Sequence, residues 1–83
     1  MQDHPGHPDI LARLRRAEGH LRSVAAMLEA GSPCLETARQ LQAVERAVAN
    51  AKRALIHNHM DHCLSDPARP PPVAEFRALA KLL

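Results

Sequence analysis

Neither tryptophan nor tyrosine occurs among these 83 residues, and Phe76 is the one phenylalanine. A chain so poor in aromatic rings has no platform on which single-stranded bases could stack. Nor has it large rings to fill a core: its apolar residues, 46% of the total, are mostly Ala, Leu and Val. Such side chains suit helices packed at close range. No apolar run reaches the ~18 residues that a membrane-crossing helix requires, and no signal peptide precedes Pro5. A cytoplasmic location is therefore expected, in a reducing compartment where thiols stay free. The chain shows no strand or hairpin pattern, no internal repeat and no nucleophile–base–orienter set, so neither a β fold nor an enzyme is expected. Cysteine is scarce as well: Cys34 and Cys63 are the whole complement.

What is present is helical periodicity. Ile10, Leu14, Ala17, Leu21, Val24 and Leu28 recur at alternating steps of four and three, the seam of a bundle or coiled coil. Pro8 and Asp9 suit the first turn of that helix, and Gly31 stops it. Ser32 and Pro33 signal the next start. Leu41, Val44, Val48, Ala51 and Leu55 then repeat the seam with no internal Gly or Pro. Ser65, Asp66 and Pro67 end the second helix, and Pro70, Pro71 and Pro72 form a stiff connector. Val73, Phe76, Leu79 and Leu82 or Leu83 give a short amphipathic third helix. The expected protomer is all-α and a single domain over residues 1–83, with a flexible arm at 1–7 and helices at 8–30, 33–64 and 72–83. So short a chain holds only a marginal core by itself, and oligomerisation is the expected source of its stability.

The cysteines and one histidine constrain that oligomer. His59 and Cys63, four residues apart, share one helix face. Cys34 opens the same helix roughly 37 Å away, at ~1.5 Å per residue. Neither a metal ion nor an intrachain disulfide can bridge that gap. An antiparallel second chain would bring its own Cys34 beside this chain's His59 and Cys63, giving two thiolate–imidazole–thiolate sites per dimer. In that register the twofold axis falls near Ala47 and Val48, and Val44 lies opposite Ala51 in an apolar dimer centre. A cysteine standing alone is more often a small buried hydrophobe than a ligand. The register it shares with His59 is what argues for a site.

Three features then carry a family resemblance: R-L-R-R-A-E-G-H-L from Arg13 to Leu21, Cys34 at the start of the second helix, and I-H-N-H-M-D-H-C from Ile56 to Cys63. From Arg13 to Leu64 the chain resembles the CsoR/RcnR family of bacterial metal-sensing transcriptional repressors. The resemblance implies an antiparallel helical-bundle dimer that pairs into a tetramer, a dimer of dimers without a helix-turn-helix. It implies binding to double-stranded operator DNA when metal-free and release when metal binds. Residue by residue, Cys34, His59 and Cys63 match the ligands of the Cu(I)-sensing branch, and two soft thiolates with one imidazole suit trigonal Cu(I). Glu75 falls where that branch has an outer carboxylate that orients the ligating imidazole. Pro33 stands where some copper sensors have a tyrosine, so any network through that ring is absent. Nickel and cobalt sensors of the family recruit N-terminal nitrogen ligands, and His4 and His7 are available for that role. With either added, the site would favour Ni(II) or Co(II).

Net charge is only +2, but the cations are unevenly placed. Arg13, Arg15, Arg16 and Arg22 lie in the first helix, and Arg39, Arg46, Lys52 and Arg53 in the second. A run of arginine is by default a solvated face. The resemblance makes Arg13, Arg15, Arg16 and Arg53 the expected DNA contacts, through phosphates and shape. His57 and His62 read as solvated helix-end residues, and His20 as a packing or bridging residue. Three other functions stay open. A nickel or cobalt sensor would recruit His4 or His7. A thiol sensor of persulfide, oxidant or formaldehyde would use Cys34 and Cys63 and would not need His59. A metal-buffering helical bundle would show no salt-dependent DNA affinity.

Overall fold

The computed structural model describes residues 7–83, and His4 lies outside them. Three helices follow in order: α1 (His7–Glu29), α2 (Cys34–Leu64) and α3 (Val73–Ala80). The protein is all-α, and no strand occurs among the described residues. His7, expected in the arm, is the first residue of α1. Pro8 needs no N–H partner in a first turn, so the helix can begin through it. Pro33 caps α2 rather than opening it, and its carbonyl accepts from both the Thr37 N–H (3.0 Å) and the Thr37 hydroxyl (3.1 Å). α3 stops at Ala80, short of the expected Leu83, and the last residues close in turns from the Leu82 N–H to the Leu79 carbonyl and from the Leu83 N–H to the Ala80 carbonyl.

The reversal between α1 and α2 is set by Gly31, whose φ of +72° lies in the left-handed region. The Ser32 N–H reaches back to the Met27 carbonyl (3.0 Å) and the Gly31 N–H to the Leu28 carbonyl (3.2 Å). That pair of bonds satisfies carbonyls the helix end would otherwise orphan. Open space surrounds the missing Cβ, so a Gly31→Ala change meets no neighbour and is opposed by backbone strain alone. We expect it to cost about 1–2 kcal/mol and to lower the melting midpoint by several degrees, read by circular dichroism.

The seam divides in two. Ile10, Ala17 and Val24 on α1, and Thr37, Val44 and Ala51 on α2, are the buried residues where the hairpin closes. Each set repeats every seven residues, and its small members allow close approach. The interleaved set stays outside: Leu14, Leu21 and Leu28 on α1, and Leu41, Val48 and Leu55 on α2, are all more than 40% exposed. Val44 and Ala51, expected to face each other across a dimer, are therefore occupied within the chain, because α1 covers them first. Ile56 is also buried although it lies off the seam.

α3 has no buried residue; Phe76 and Leu79 are half-buried, and Val73, Leu82 and Leu83 are exposed. The radius of gyration is 17.1 Å, against about 12 Å for a compact domain of this length. The molecule is a slab of 57 × 27 × 12 Å.

Candidate metal centre

One end of α2 carries the candidate donors. His59 and Cys63 stand one turn apart on the same face, with 3.6 Å between the His59 Nε2 and the Cys63 Sγ. With metal–sulfur and metal–nitrogen bonds of about 2.3 and 2.0 Å, that separation corresponds to a sulfur–metal–nitrogen angle near 110°. The pair is therefore already spaced to share one ion. α3 adds Glu75, whose carboxylate accepts a hydrogen bond from the His59 Nε2. Donor atoms of His59, Cys63 and Glu75 all lie within 4.8 Å of one another. Both the sulfur and the carboxylate approach the same imidazole nitrogen: with an ion on Nε2, Glu75 would stand beside it as an oxygen donor, and it could orient the ring from outside only with the ion on Nδ1.

Cys34 is not in this cluster. It is exposed at the opposite end of α2, and both cysteines are free thiols. His7 is not in the cluster either, but the antiparallel hairpin returns the start of α1 to the end of α2 that holds His59 and Cys63. Beside Cys63, a surface depression of about 560 Å³ is lined by His62, Asp66, Arg69 and the prolines of the connector. It gives the thiol a second approach from solvent.

At about 100° per residue, Cys34, Leu41, Val48, Leu55, His59 and Cys63 fall on one stripe of α2. The exposed apolar column and the three ligand candidates thus share a face. Setting two copies antiparallel with Val48 on the twofold axis pairs Leu41 with Leu55. The same operation places Cys34 opposite position 62, within one turn of both His59 and Cys63.

A second concave feature crosses the two long helices. Arg13, Arg16 and His20 of α1, with Asn50 of α2, surround a depression of about 360 Å³ over a floor of Ala17 and Ala47. Arg13 is steadied by Asp9 one turn earlier (3.3 Å), and Arg53 donates to the Asn50 Oδ1. Arg13, Arg16, His20, Asn50 and Arg53 are thereby gathered on one side of the hairpin. Arg15, also expected there, lies nearly opposite Arg13 on the helix. Sequence reasoning missed Asn50 and Gln40, since only the pairing of α1 on α2 reveals what they face. His20, expected to bridge or pack, donates from its Nε2 to the Gln40 Oε1 at 2.7 Å.

A family described as metal-sensitive transcriptional repressors matches residues 6–83. The copper-sensing transcriptional repressor CsoR of Mycobacterium ulcerans is 40% identical over 55 residues, 66% of this chain and 47% of that one. CsoR of Bacillus subtilis is 35% identical over 57 residues, 69% of this chain and 56% of its own length. The matched stretch thus spans about half the length of these curated relatives. Among solved structures, the nickel-responsive transcriptional regulator InrS is similar, with a TM-score of 0.74 at 28% identity, covering 99% of this chain and 93% of that one.

Proposed function

The chain belongs to the metal-sensitive transcriptional repressor family, whose members are not enzymes, and from that premise we propose that it is a copper-responsive repressor working as an antiparallel dimer. The observation that carries this reading is the common stripe of Cys34, Leu41, Val48, Leu55, His59 and Cys63. Burying the leucines and valine of two copies against each other is the move that also completes the donor set. Dimers would pair further into tetramers.

Cys34 of one chain, with His59 and Cys63 of the other, would hold the ion; Glu75, which accepts from the His59 Nε2, would keep that ring oriented when the ion takes Nδ1. A bound Cu(I) would supply three short bonds to soft and borderline donors. What the protein contributes is placement: Cys34 sits on the first turn of α2, so engaging it draws that turn toward the partner. On the other side of the hairpin, Arg13, Arg16 and Arg53 would meet backbone phosphates of duplex DNA. Release requires that the DNA-bound form hold the metal more weakly than the free form, by the same factor in both directions.

Nickel or cobalt is the second reading. It is supported by the likeness to nickel-responsive InrS, by Glu75 as a harder oxygen donor within the cluster, and by the return of His7 to that end of the molecule. Anaerobic titration of the reduced protein with Cu(I), Ni(II) and Co(II), each followed by duplex binding, separates the two. A three-coordinate Cu(I) complex that alone releases DNA supports copper. A four- to six-coordinate Ni(II) complex that releases DNA, beside an inert Cu(I) form, overturns it. Retained DNA response in a His59→Ala chain would instead point to a thiol sensor.

The arginine assignment has its own test. Arg13→Ala should weaken duplex binding across sequences and reduce the slope of log affinity against log salt by about one. An unchanged slope would remove Arg13 from the phosphate contacts. Arg15→Ala, on the other side of α1, should move the slope less.

A further inference from the structure

We propose that His20 and Gln40 are positioning residues that tie the cationic depression to the first turn of α2, so that the DNA-facing groups respond to what happens at Cys34. The proposal rests on the repressor reading above and extends it to the path between its two sites.

The depression is built from both long helices. Arg13, Arg16 and His20 come from α1, and Asn50 and Ala47 from α2. Its shape therefore depends on how α1 sits on α2. Most of that interface is Ile10, Ala17, Val24, Val44 and Ala51, and apolar burial of this kind has no directional preference. Apolar packing of this kind fixes that the helices touch more than it fixes one orientation of polar groups at their edge. A hydrogen bond does have direction. The 2.7 Å contact from the His20 Nε2 to the Gln40 Oε1 is partly buried and joins residues 20 apart in the chain, so it pins the register of α1 on α2 at the edge of the depression.

Gln40 has a second end. Its Nε2 donates to the Glu36 Oε1 at 3.4 Å, one turn toward the start of α2. Glu36 lies in the first turn of that helix, two residues beyond Cys34. The amide of Gln40 thus spans from the turn that carries Cys34 to a side chain that forms the wall of the depression. Rotation of that turn carries Glu36 with it, reorients the Gln40 amide and shifts His20. Because His20 is on the same helix as Arg13 and Arg16, the movement alters their distance from Asn50 and Arg53.

Full-length reduced protein provides the test, with a duplex selected from a random pool by the metal-free wild type, and Cu(I) and Ni(II) as probes. For a responsive wild type, metal should reduce duplex affinity by a factor in the range of about 5–150. Gln40→Met keeps the length of the side chain and removes both hydrogen bonds, and His20→Leu removes one. Both should bind metal as wild type does in the absence of DNA, yet show a release factor below about 3. His20→Gln offers an N–H to the Gln40 Oε1 again and should restore the wild-type factor. Hydrogen exchange adds a readout that needs no DNA: α1 amides flanking His20 should change protection on metal addition in wild type and His20→Gln, but not in Gln40→Met. If Gln40→Met fails to fold, the contrast between His20→Leu and His20→Gln decides.

Wild-type release factors in Gln40→Met and His20→Leu would overturn the proposal, as would failure of His20→Gln to differ from His20→Leu. A wild-type chain that selects no duplex, or keeps it in the presence of both metals, is a separate result, which sinks the repressor reading itself.

Discussion

Cys34→Ser and the double variant His59→Ala, Cys63→Ser should each lose metal binding when made alone, and should recover it when mixed. Removal of an outer partner typically costs 10–100-fold in affinity, so the loss of a direct ligand should exceed about 100-fold. The mixture is the sharper result. In a heterodimer, the first chain supplies His59 and Cys63 and the second supplies Cys34, which completes one site; the other site is dead. Random pairing makes half the dimers mixed, so metal capacity should return to about a quarter of wild type. Thiolate-to-metal absorbance measures it directly. If the mixture binds no more than its parts, or if Cys34→Ser alone binds normally, the two-chain site is wrong. His59, Cys63 and Glu75 would then constitute the whole centre.

The second large effect is expected at Val48. Exposed in one chain at 44%, it falls on the proposed twofold axis, where it would meet its own copy. Val48→Glu would bury two like charges face to face, at a cost of several kcal/mol. A tenfold change in dissociation constant corresponds to about 1.4 kcal/mol, so the dimer should weaken by about a thousandfold or more. Sedimentation analysis reads this, and metal affinity should fall with it, because a lone chain lacks Cys34 at the right place. Val44→Ala, whose side chain α1 already covers, should lower the melting midpoint and leave the assembly state alone. A Val48→Glu protein that sediments as wild type would remove Val48 from the interface and with it the proposed register.

These two results probe what could and could not be read from the residues. Helix count and order follow from the four–three periodicity and from Gly31, Pro33 and the proline connector, and the structure agrees to within a residue or so except at the end of α3. The partition of the seam does not follow. A repeat of 3.5 residues yields two interleaved columns of similar apolar character, and either could close the hairpin. In the structure the column with Ala17, Val44 and Ala51 closes it, since small side chains let two helices of one chain approach. The leucines are left for another surface. This is why Val44 and Ala51, though correctly identified as apolar centre residues, had the wrong neighbour. His59 and Cys63 were legible as a pair because four residues make one turn. Glu75 needed the family resemblance, as its distance from His59 depends on how the connector folds. The His20–Gln40 bond was legible only as a residue type able to bridge, because its partner is set by tertiary register.

A body 12 Å thick is barely wider than one helix with its side chains. Every residue of a solitary copy therefore lies a single side chain from water, and nothing in it qualifies as deep interior. Resistance to heat should climb with concentration, since association withdraws molecules from the unfolded pool. If copies pair as proposed, an unpaired one would unfold, and so be cleaved, more readily than a paired one. The abundance of such a protein would then be trimmed by its own encounter rate, with surplus singles cleared before they bind metal or DNA.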